Sequence, residues 1–291
     1  MELLQSYVDD VILRALNEDI TGIDVTSDFL LSADHESDAY LMAKDTGVVC
    51  GMEYAERVFA LVGEGVTFIP KVHDGDSVKY GDILATMHGR TRTLLKGERT
   101  ALNALQHLSG IATETRRCVD IVAGTKATIT DTRKCMVGIR AMQKYAVRCG
   151  GGKNHRFNLS DGAMLKDNHI DACGGITPAI TQLRAHIGHM ISIEVEVRTL
   201  DELREALDAK ADIIMLDNMD NDTMREAVRI TDGRALLEAS GGITHDTLRG
   251  VAETGVDIIS IGALTHSVKA FDISMKWGAL QLNGDRKLTV G

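Results

Sequence analysis

The sequence predicts an α/β chain built around an incomplete barrel of parallel strands, and three observations lead there. First, six apolar β-type runs recur from about residue 125 at intervals of about 20 to 35 residues: "KATIT", "DGAMLK", "ISIEVEV", "ADIIMLD", "ALLEAS" and "VDIISIG". Second, helical patterns such as "TLDELREALDA" and "NDTMREAVRITD" separate most of them, as crossover helices separate parallel strands. Third, each run ends in charged, amide, hydroxyl or glycine residues, and in α/β barrels the loops after the strands carry the chemistry. A doubly wound open sheet is the alternative, but no dinucleotide-binding glycine fingerprint follows any of these runs.

Residues before about 102 have a different texture. An amphipathic helix comes first, with Leu4, Val8, Val11, Ile12 and Leu16 at helical spacing. Strand-like pieces follow, "AYLMAKD", "GVVCGM" and "VTFIPKV". In "VHDGDSVKYGDILATMHG" Gly75 and Gly81 punctuate apolar pieces as hairpin turns do, a pattern like the hammerhead hairpins of lipoyl-type domains. A carrier would need a lysine exposed on a tight turn. Lys44 in "MAKDT" is a poor match, so the module reads as structural. A long helix, "LLKGERTALNALQHLSGIATETRRCVDIV", carries the apolar stripe Leu102, Leu105, Leu108 and Ile111 and leads into the barrel, expected over 103–268.

Composition sets limits. The 291 residues can bury a sizeable core, and 44% hydrophobic with 25% charged residues is ordinary for a globular chain. No apolar run is long enough to span a membrane. The acidic start lacks the features of a secretory signal. Five scattered cysteines without a C-x-x-C pair suggest reduced thiols, no zinc cluster and a cytoplasmic setting. The net charge of −10 argues against nucleic-acid binding. Local gatherings of cations in such a chain therefore point to a particular anion.

Those cations sit at the run ends. "KATIT" is followed by Asp131, Thr132, Arg133 and Lys134, and "GAML" by Lys166, Asp167, Asn168 and His169. Arg133, Lys134 and Lys166 suit carboxylates or phosphates. "ISIEVEV" places Glu194 and Glu196 on one face, opposite Ile193, Val195 and Val197. If helices cover the valine face, both acids point inward, where a metal or a cation must meet them. Glu196 and Asp217 are hard oxygen donors suited to magnesium, directly or through water. "SGG" (Ser240, Gly241, Gly242) and "IGAL" (Gly262, Ala263) offer backbone N–H groups beside helix starts, as phosphate sites do. In "RCGGGKNHR" three glycines precede His155 and Arg156, without the Ser or Thr of a P-loop. These residues together suit a sugar phosphate carrying a metal-bound pyrophosphate, next to a carboxylated co-substrate.

At this point the chain resembles a known family. "GERTALNALQHLSGIAT", "DTRK", "QKYAVRCGGGKNHR", "LKDNHI", "IEVEV", "IIMLDNM", "EASGG" and "ISIGALTHS" look like the quinolinate phosphoribosyltransferases, type II phosphoribosyltransferases, in order and spacing from about residue 9 to about 277. The resemblance implies an N-terminal α/β sandwich over 1–102, joined by residues 269–291, and an incomplete α/β barrel. It implies a homodimer or higher oligomer with Arg99 acting across the interface. It further implies quinolinate and phosphoribosyl pyrophosphate as substrates, with Mg2+, giving nicotinate mononucleotide, carbon dioxide and pyrophosphate. Carried over by motif, Arg99, Thr132, Arg133, Lys134, His155, Arg156 and Lys166 would surround quinolinate. Glu196 and Asp217 would hold ribose hydroxyls or the metal. Ser240, Gly241, Gly242, Gly262 and Ala263 would take the 5′-phosphate. Lys134, Lys166, Glu196 and Asp217 are the expected catalytic residues.

The chain departs from the family after "DTRK", where Cys135, Met136 and Val137 replace the usual Thr, variable residue and Pro. Drift in a supporting loop, an altered acceptor acid such as nicotinate, or a reactive Cys135 each account for it. A non-catalytic nucleotide or pyrophosphate sensor is the rival from another class. Arg140, Lys144 and Arg148 share a helical face expected to be solvated. His107, His169 and His266 read equally well as structural groups.

Overall fold

The structure is a computed structural model that describes residues 3–278 and the short segments 281–282 and 288–289. The first elements are α1 (Gln5–Asp19), α2 (Ser27–Leu30), β1 (Glu36–Ala43), β2 (Gly47–Val48), α3 (Met52–Val62), β3 (Val66–Pro70), β4 (Ser77–Val78), β5 (Ile83–Arg90) and α4 (Thr91–Ile121). Next come β6 (Thr128–Thr130), α5 (Arg140–Cys149), β7 (Ala163–Leu165), α6 (Asp167–Cys173), α7 (Ile176–His186), β8 (Ile193–Val197), α8 (Leu200–Asp208) and β9 (Ile213–Asp217). The chain closes with α9 (Asn221–Thr231), β10 (Leu236–Ser240), α10 (His245–Ala252), β11 (Ile258–Ser260), α11 (Ala263–His266), β12 (Ile273–Trp277), β13 (Gln281–Leu282) and β14 (Leu288–Thr289).

Two compact units form. One gathers Met1–Glu114, Met136–Gly151 and Ser267–Gly291, the other Thr115–Cys135 and Gly152–His266. The boundary differs from the 102/103 expected from sequence because α4 is one continuous helix that starts in the first unit and ends in the second. Residues 279–280, 283–287 and 290–291 of the expected C-terminal return lie outside the described residues.

The first unit holds a four-stranded sheet in the order β12-β1-β5-β3, all neighbours antiparallel. The stripe Val8, Val11, Ile12 and Leu16 of α1 is buried, and so are Leu102, Leu105, Leu108 and Ile111 of α4. Leu4 is exposed and precedes the helix. Gly75 and Gly81 take φ of +96° and +90°, the left-handed turns that glycine permits. Lys44 donates to the Tyr80 hydroxyl and lies 4.8 Å from its ring centre. Helix α3 lacks a side-chain cap of its own. Asp74 Oδ1 accepts from the Gly51 and Met52 N–H groups instead, while its Oδ2 accepts from the Tyr145 hydroxyl. Cys50, Cys149 and Asp74 bring ligand atoms within 4.8 Å of one another, a grouping that sequence spacing did not announce.

Helix α5 brings one correction. Lys144 is only 2% exposed and belongs to the inner face with Met142, Gln143, Ala146 and Val147. Arg148 of the same row is exposed. The helix starts at Arg140, and Val137 lies in the preceding turn, 97% exposed.

The second unit is a six-stranded parallel sheet in the order β6-β11-β10-β9-β8-β7. β6 and β7 do not pair with each other, which leaves the barrel incomplete. Its apolar core takes Ile193, Val195 and Val197 from β8 with Leu203, Ala206 and Leu207 from α8. The alternation in β8 then turns Glu194 and Glu196 to the opposite face, as period-two geometry requires. Helices α8 and α9 are capped by Thr199 and Asp220, whose side chains accept from Glu202 N–H and Thr223 N–H.

Candidate active site

The loops after the parallel strands enclose a cleft of about 570 Å³, and all of its lining comes from the second unit. Residues Thr132, Arg133 and Lys134 follow β6, His155 and Arg156 follow the glycine run, and Lys166 follows β7. Glu196 comes from β8, Asp217 from β9, and Ser240, Gly241 and Gly242 from the end of β10. Gly262 is not in the lining but stands beside it. A Cβ at that position would come within 2.9 Å of Lys134 Cδ. Ala263 opens α11 directly after it. Arg99 is placed in the other unit, exposed, on a separate cavity of about 620 Å³ with Arg14, His107, Met136 and Val137.

The cationic side of the cleft is held from below. Asp131 is fully buried. Its Oδ1 accepts from His155 N–H at 2.9 Å and its Oδ2 from the Asn154 amide at 2.6 Å. Thr132 Oγ1 accepts from Lys134 N–H at 3.0 Å, and the Lys134 carbonyl accepts from the Thr265 hydroxyl at 2.7 Å. Arg156 donates to the Gly162 carbonyl at 2.8 Å and to the Met164 sulfur at 3.6 Å. Burial and the nearby Arg133 push its pKa down from the usual guanidinium range. The nearby charge of Glu194 offsets this only in part, so two neighbouring guanidinium groups leave a demand for an anion.

The acidic side is built differently. Lys166 Nζ donates to Glu196 Oε2 at 2.6 Å, so the lysine and this acid form one pair at the cleft wall. Asp217 Oδ2 accepts from the side-chain amide of Asn218 at 2.9 Å. Asn218 itself takes φ of +53°, a left-handed position that Asn tolerates better than most residues. Its N–H donates to the Ser240 carbonyl. Gly241 has φ of +101°, and a Cβ there would sit 2.2 Å from Asn218 Oδ1, so only glycine fits. Gly242 faces open space at φ of +60°, leaving room for a ligand to approach the backbone.

Sequence reasoning did not single out Met164, Met215, Asn218, Glu238 and Ser260 as site residues, yet all line the cleft. Glu238 is nearly fully buried, and desolvation together with the nearby Glu194 charge pushes its carboxyl up to about 7. The only sequence signal was an acid inside the apolar run "ALLEAS". His155 Nε2 stands 3.2 Å from Glu194 Oε2 and 3.6 Å from Glu238 Oε1. These three groups are close enough to share a metal ion. The histidine argues against that use, because its Nδ1 accepts from Arg156 N–H at 2.8 Å and its proton must therefore sit on Nε2. His169 is structural: its Nδ1 accepts from Lys166 N–H. His107 accepts from the Gln143 side-chain amide in the first unit.

Comparison with known proteins agrees with this geometry. Residues 24–109 match the N-terminal domain and residues 111–276 the C-terminal domain of quinolinate phosphoribosyl transferase. A probable nicotinate-nucleotide pyrophosphorylase [carboxylating] of Bacillus subtilis is 47% identical over 258 residues, 89% of each chain. The nicotinate-nucleotide pyrophosphorylase [carboxylating] of Mycobacterium leprae is 42% identical, over 91% of this chain and 95% of its own. The crystal structure of NadC from Streptococcus pyogenes superposes with a TM-score of 0.92 at 41% identity, covering 96% of this chain and all of its own. Both domains, nearly the whole length and the fold agree, so this chain belongs to the quinolinate phosphoribosyltransferase family.

Proposed function

We propose that the protein transfers the phosphoribosyl group of phosphoribosyl pyrophosphate to quinolinate with loss of carbon dioxide, the decarboxylating step toward NAD. The observation that carries this reading is one cleft in an acidic chain where Arg133, Lys134, Arg156 and Lys166 converge beside Glu196, Asp217 and a glycine loop. Arg133, Arg156 and Lys166 grip the two carboxylates, with Lys134, Thr132 and His155 completing that end. Ser240, Gly241, Gly242, Gly262 and Ala263 take the 5′-phosphate, and Glu196 and Asp217 the ribose hydroxyls.

Magnesium fits this donor set. Two carboxylates from neighbouring strands leave most of its octahedral shell to water and substrate phosphate oxygens, the arrangement this ion favours. Bound there, it would neutralise the leaving pyrophosphate.

The chain's own task is to position. The ring nitrogen of quinolinate bonds to the anomeric carbon as the carbon–oxygen bond to pyrophosphate breaks and its electron pair leaves with the oxygen. Holding both reactants in line supplies up to about 7–11 kcal/mol of the barrier. The ribosylated nitrogen is then positive and draws the electron pair of the adjacent carbon–carboxylate bond into the ring. Carbon dioxide departs and the ring carbon takes a proton. The cations orient both carboxylates before this step.

We read the active unit as a homodimer or higher oligomer, in which the exposed Arg99 of one copy serves the cleft of another. Its cytoplasmic setting rests on the sequence features above. No helix among the described residues is long and apolar enough to cross a membrane.

Substituting the cations tests the reading. Arg133→Ala or Lys166→Ala leaves the circular dichroism spectrum intact and lowers quinolinate turnover at least about thirtyfold, since a lost charge partner costs about 2–5 kcal/mol. Near-normal turnover in either variant refutes the assignment.

A further inference from the structure

We infer that Glu194 and Glu238 are positioning residues for the acceptor end of the cleft: together they fix the His155 ring, and through it the start of the Arg156 segment. This rests on the functional reading above and adds residues to which nothing so far gives a role in the reaction.

The geometry is specific. Glu194 stands on β8 and Glu238 on β10, with β9 between them, and both are more than nine-tenths buried. Each presents Oε1 without a hydrogen-bond partner. Two acids buried this close inside one barrel are costly, so a compensating use is expected. Both face His155 Nε2, which lies 3.2 Å from Glu194 Oε2, within hydrogen-bond reach, and 3.6 Å from Glu238 Oε1, an electrostatic contact only. The opposite nitrogen of the ring accepts from Arg156 N–H, and the His155 N–H donates to Asp131. Three buried acids from β8, β10 and the end of β6 thus fix ring, tautomer and backbone of one residue. The next residue is Arg156, whose side chain lines the cleft together with Arg133. With Nδ1 and Nε2 both engaged in the wall, His155 serves the acceptor by holding Arg156 in place.

The test uses the full-length enzyme with quinolinate and phosphoribosyl pyrophosphate. Glu194→Leu removes the nearer acceptor and raises the quinolinate KM about tenfold, the loss of one charge-assisted hydrogen bond. Glu238→Leu raises it less, because its oxygen is farther from Nε2. The KM for phosphoribosyl pyrophosphate stays within about twofold in both. Glu194→Gln, whose amide oxygen still accepts from Nε2, restores the quinolinate KM to within about threefold. In a double-mutant cycle, Glu194→Leu adds less than about twofold once His155→Ala is present. A nitrogen-15 spectrum of the wild-type imidazole shows Nε2 protonated and Nδ1 bare, which also covers the case in which a leucine variant fails to fold.

Equal loss for both substrates, full additivity in the cycle, or a protonated Nδ1 overturns the inference. A wild-type enzyme that neither binds nor turns over quinolinate overturns the functional reading instead.

Discussion

Replacing Glu238 by Gln changes how stability depends on pH, and the direction follows from burial. Its carboxyl is raised from an ordinary value of 4.5 to about 7, first by desolvation and then by the Glu194 charge. Below about pH 4.5 the group is protonated in the folded and unfolded chain alike. Between 4.5 and 7 the folded chain keeps a proton that the unfolded chain has released, so stability falls as pH rises. Above 7 the full cost of a buried carboxylate is present. That cost is about 3 kcal/mol, since each tenfold change in proton affinity is worth about 1.4 kcal/mol. Glutamine keeps the shape and carries no charge, so Glu238→Gln gains on the wild type by up to about 3 kcal/mol between pH 4.5 and pH 8. Urea unfolding followed by far-ultraviolet circular dichroism at several pH values measures this. Fluorescence would not serve, because the single tryptophan, Trp277, lies in the other unit. A stability difference that is constant across this range refutes the assignment of a raised carboxyl to Glu238.

Two further substitutions probe close backbone approach. Gly241→Ala places a methyl group 2.2 Å from Asn218 Oδ1 at φ of +101°, so urea unfolding is expected to show a loss of about 1–3 kcal/mol, with a raised KM for phosphoribosyl pyrophosphate; unchanged values in both assays contradict the close fit. Gly110→Ala gains about 1 kcal/mol of helix propensity within α4, but its Cβ would lie 2.2 Å from the Lys269 carbonyl, a backbone atom that cannot swing away. The overlap outweighs the gain, and the melting temperature falls; a rise would show that the 269 segment yields.

Much of the barrel was legible because its signals are local. Each β-type run became a strand, and the residues just past "KATIT", "GAML" and "DIIML" came together in one cleft with Glu196 from inside "ISIEVEV". Period two in "IEVEV" was enough to turn Glu194 and Glu196 to the face opposite the apolar core. What stayed hidden depends on which core a segment joins. The helix "RAMQKYAVRC" follows β6 as a crossover helix would, yet its Met142, Ala146 and Val147 pack in the core of the first unit. An amphipathic pattern states that one face is covered, not what covers it. For the same reason Lys144 read as solvated while the structure buries it. Glu238 was hidden inside an apolar run, and its meaning appears only when β8 and β10 place two acids beside one histidine.

Cys135, Met136 and Val137 line none of the cationic cleft; Met136 and Val137 lie on the cavity that holds Arg99. Nothing in the structure explains why this chain departs from its family there.

The central claim is that one cationic cleft binds a diacid and a phosphoribosyl donor so that transfer and decarboxylation follow each other. Simultaneous measurement of carbon dioxide and pyrophosphate, with quinolinate as acceptor and Mg2+ present, tests it most directly. Equal amounts of both products are expected, and with nicotinate as acceptor no carbon dioxide. Pyrophosphate released without carbon dioxide from quinolinate, or neither product from well-folded protein, would contradict the account.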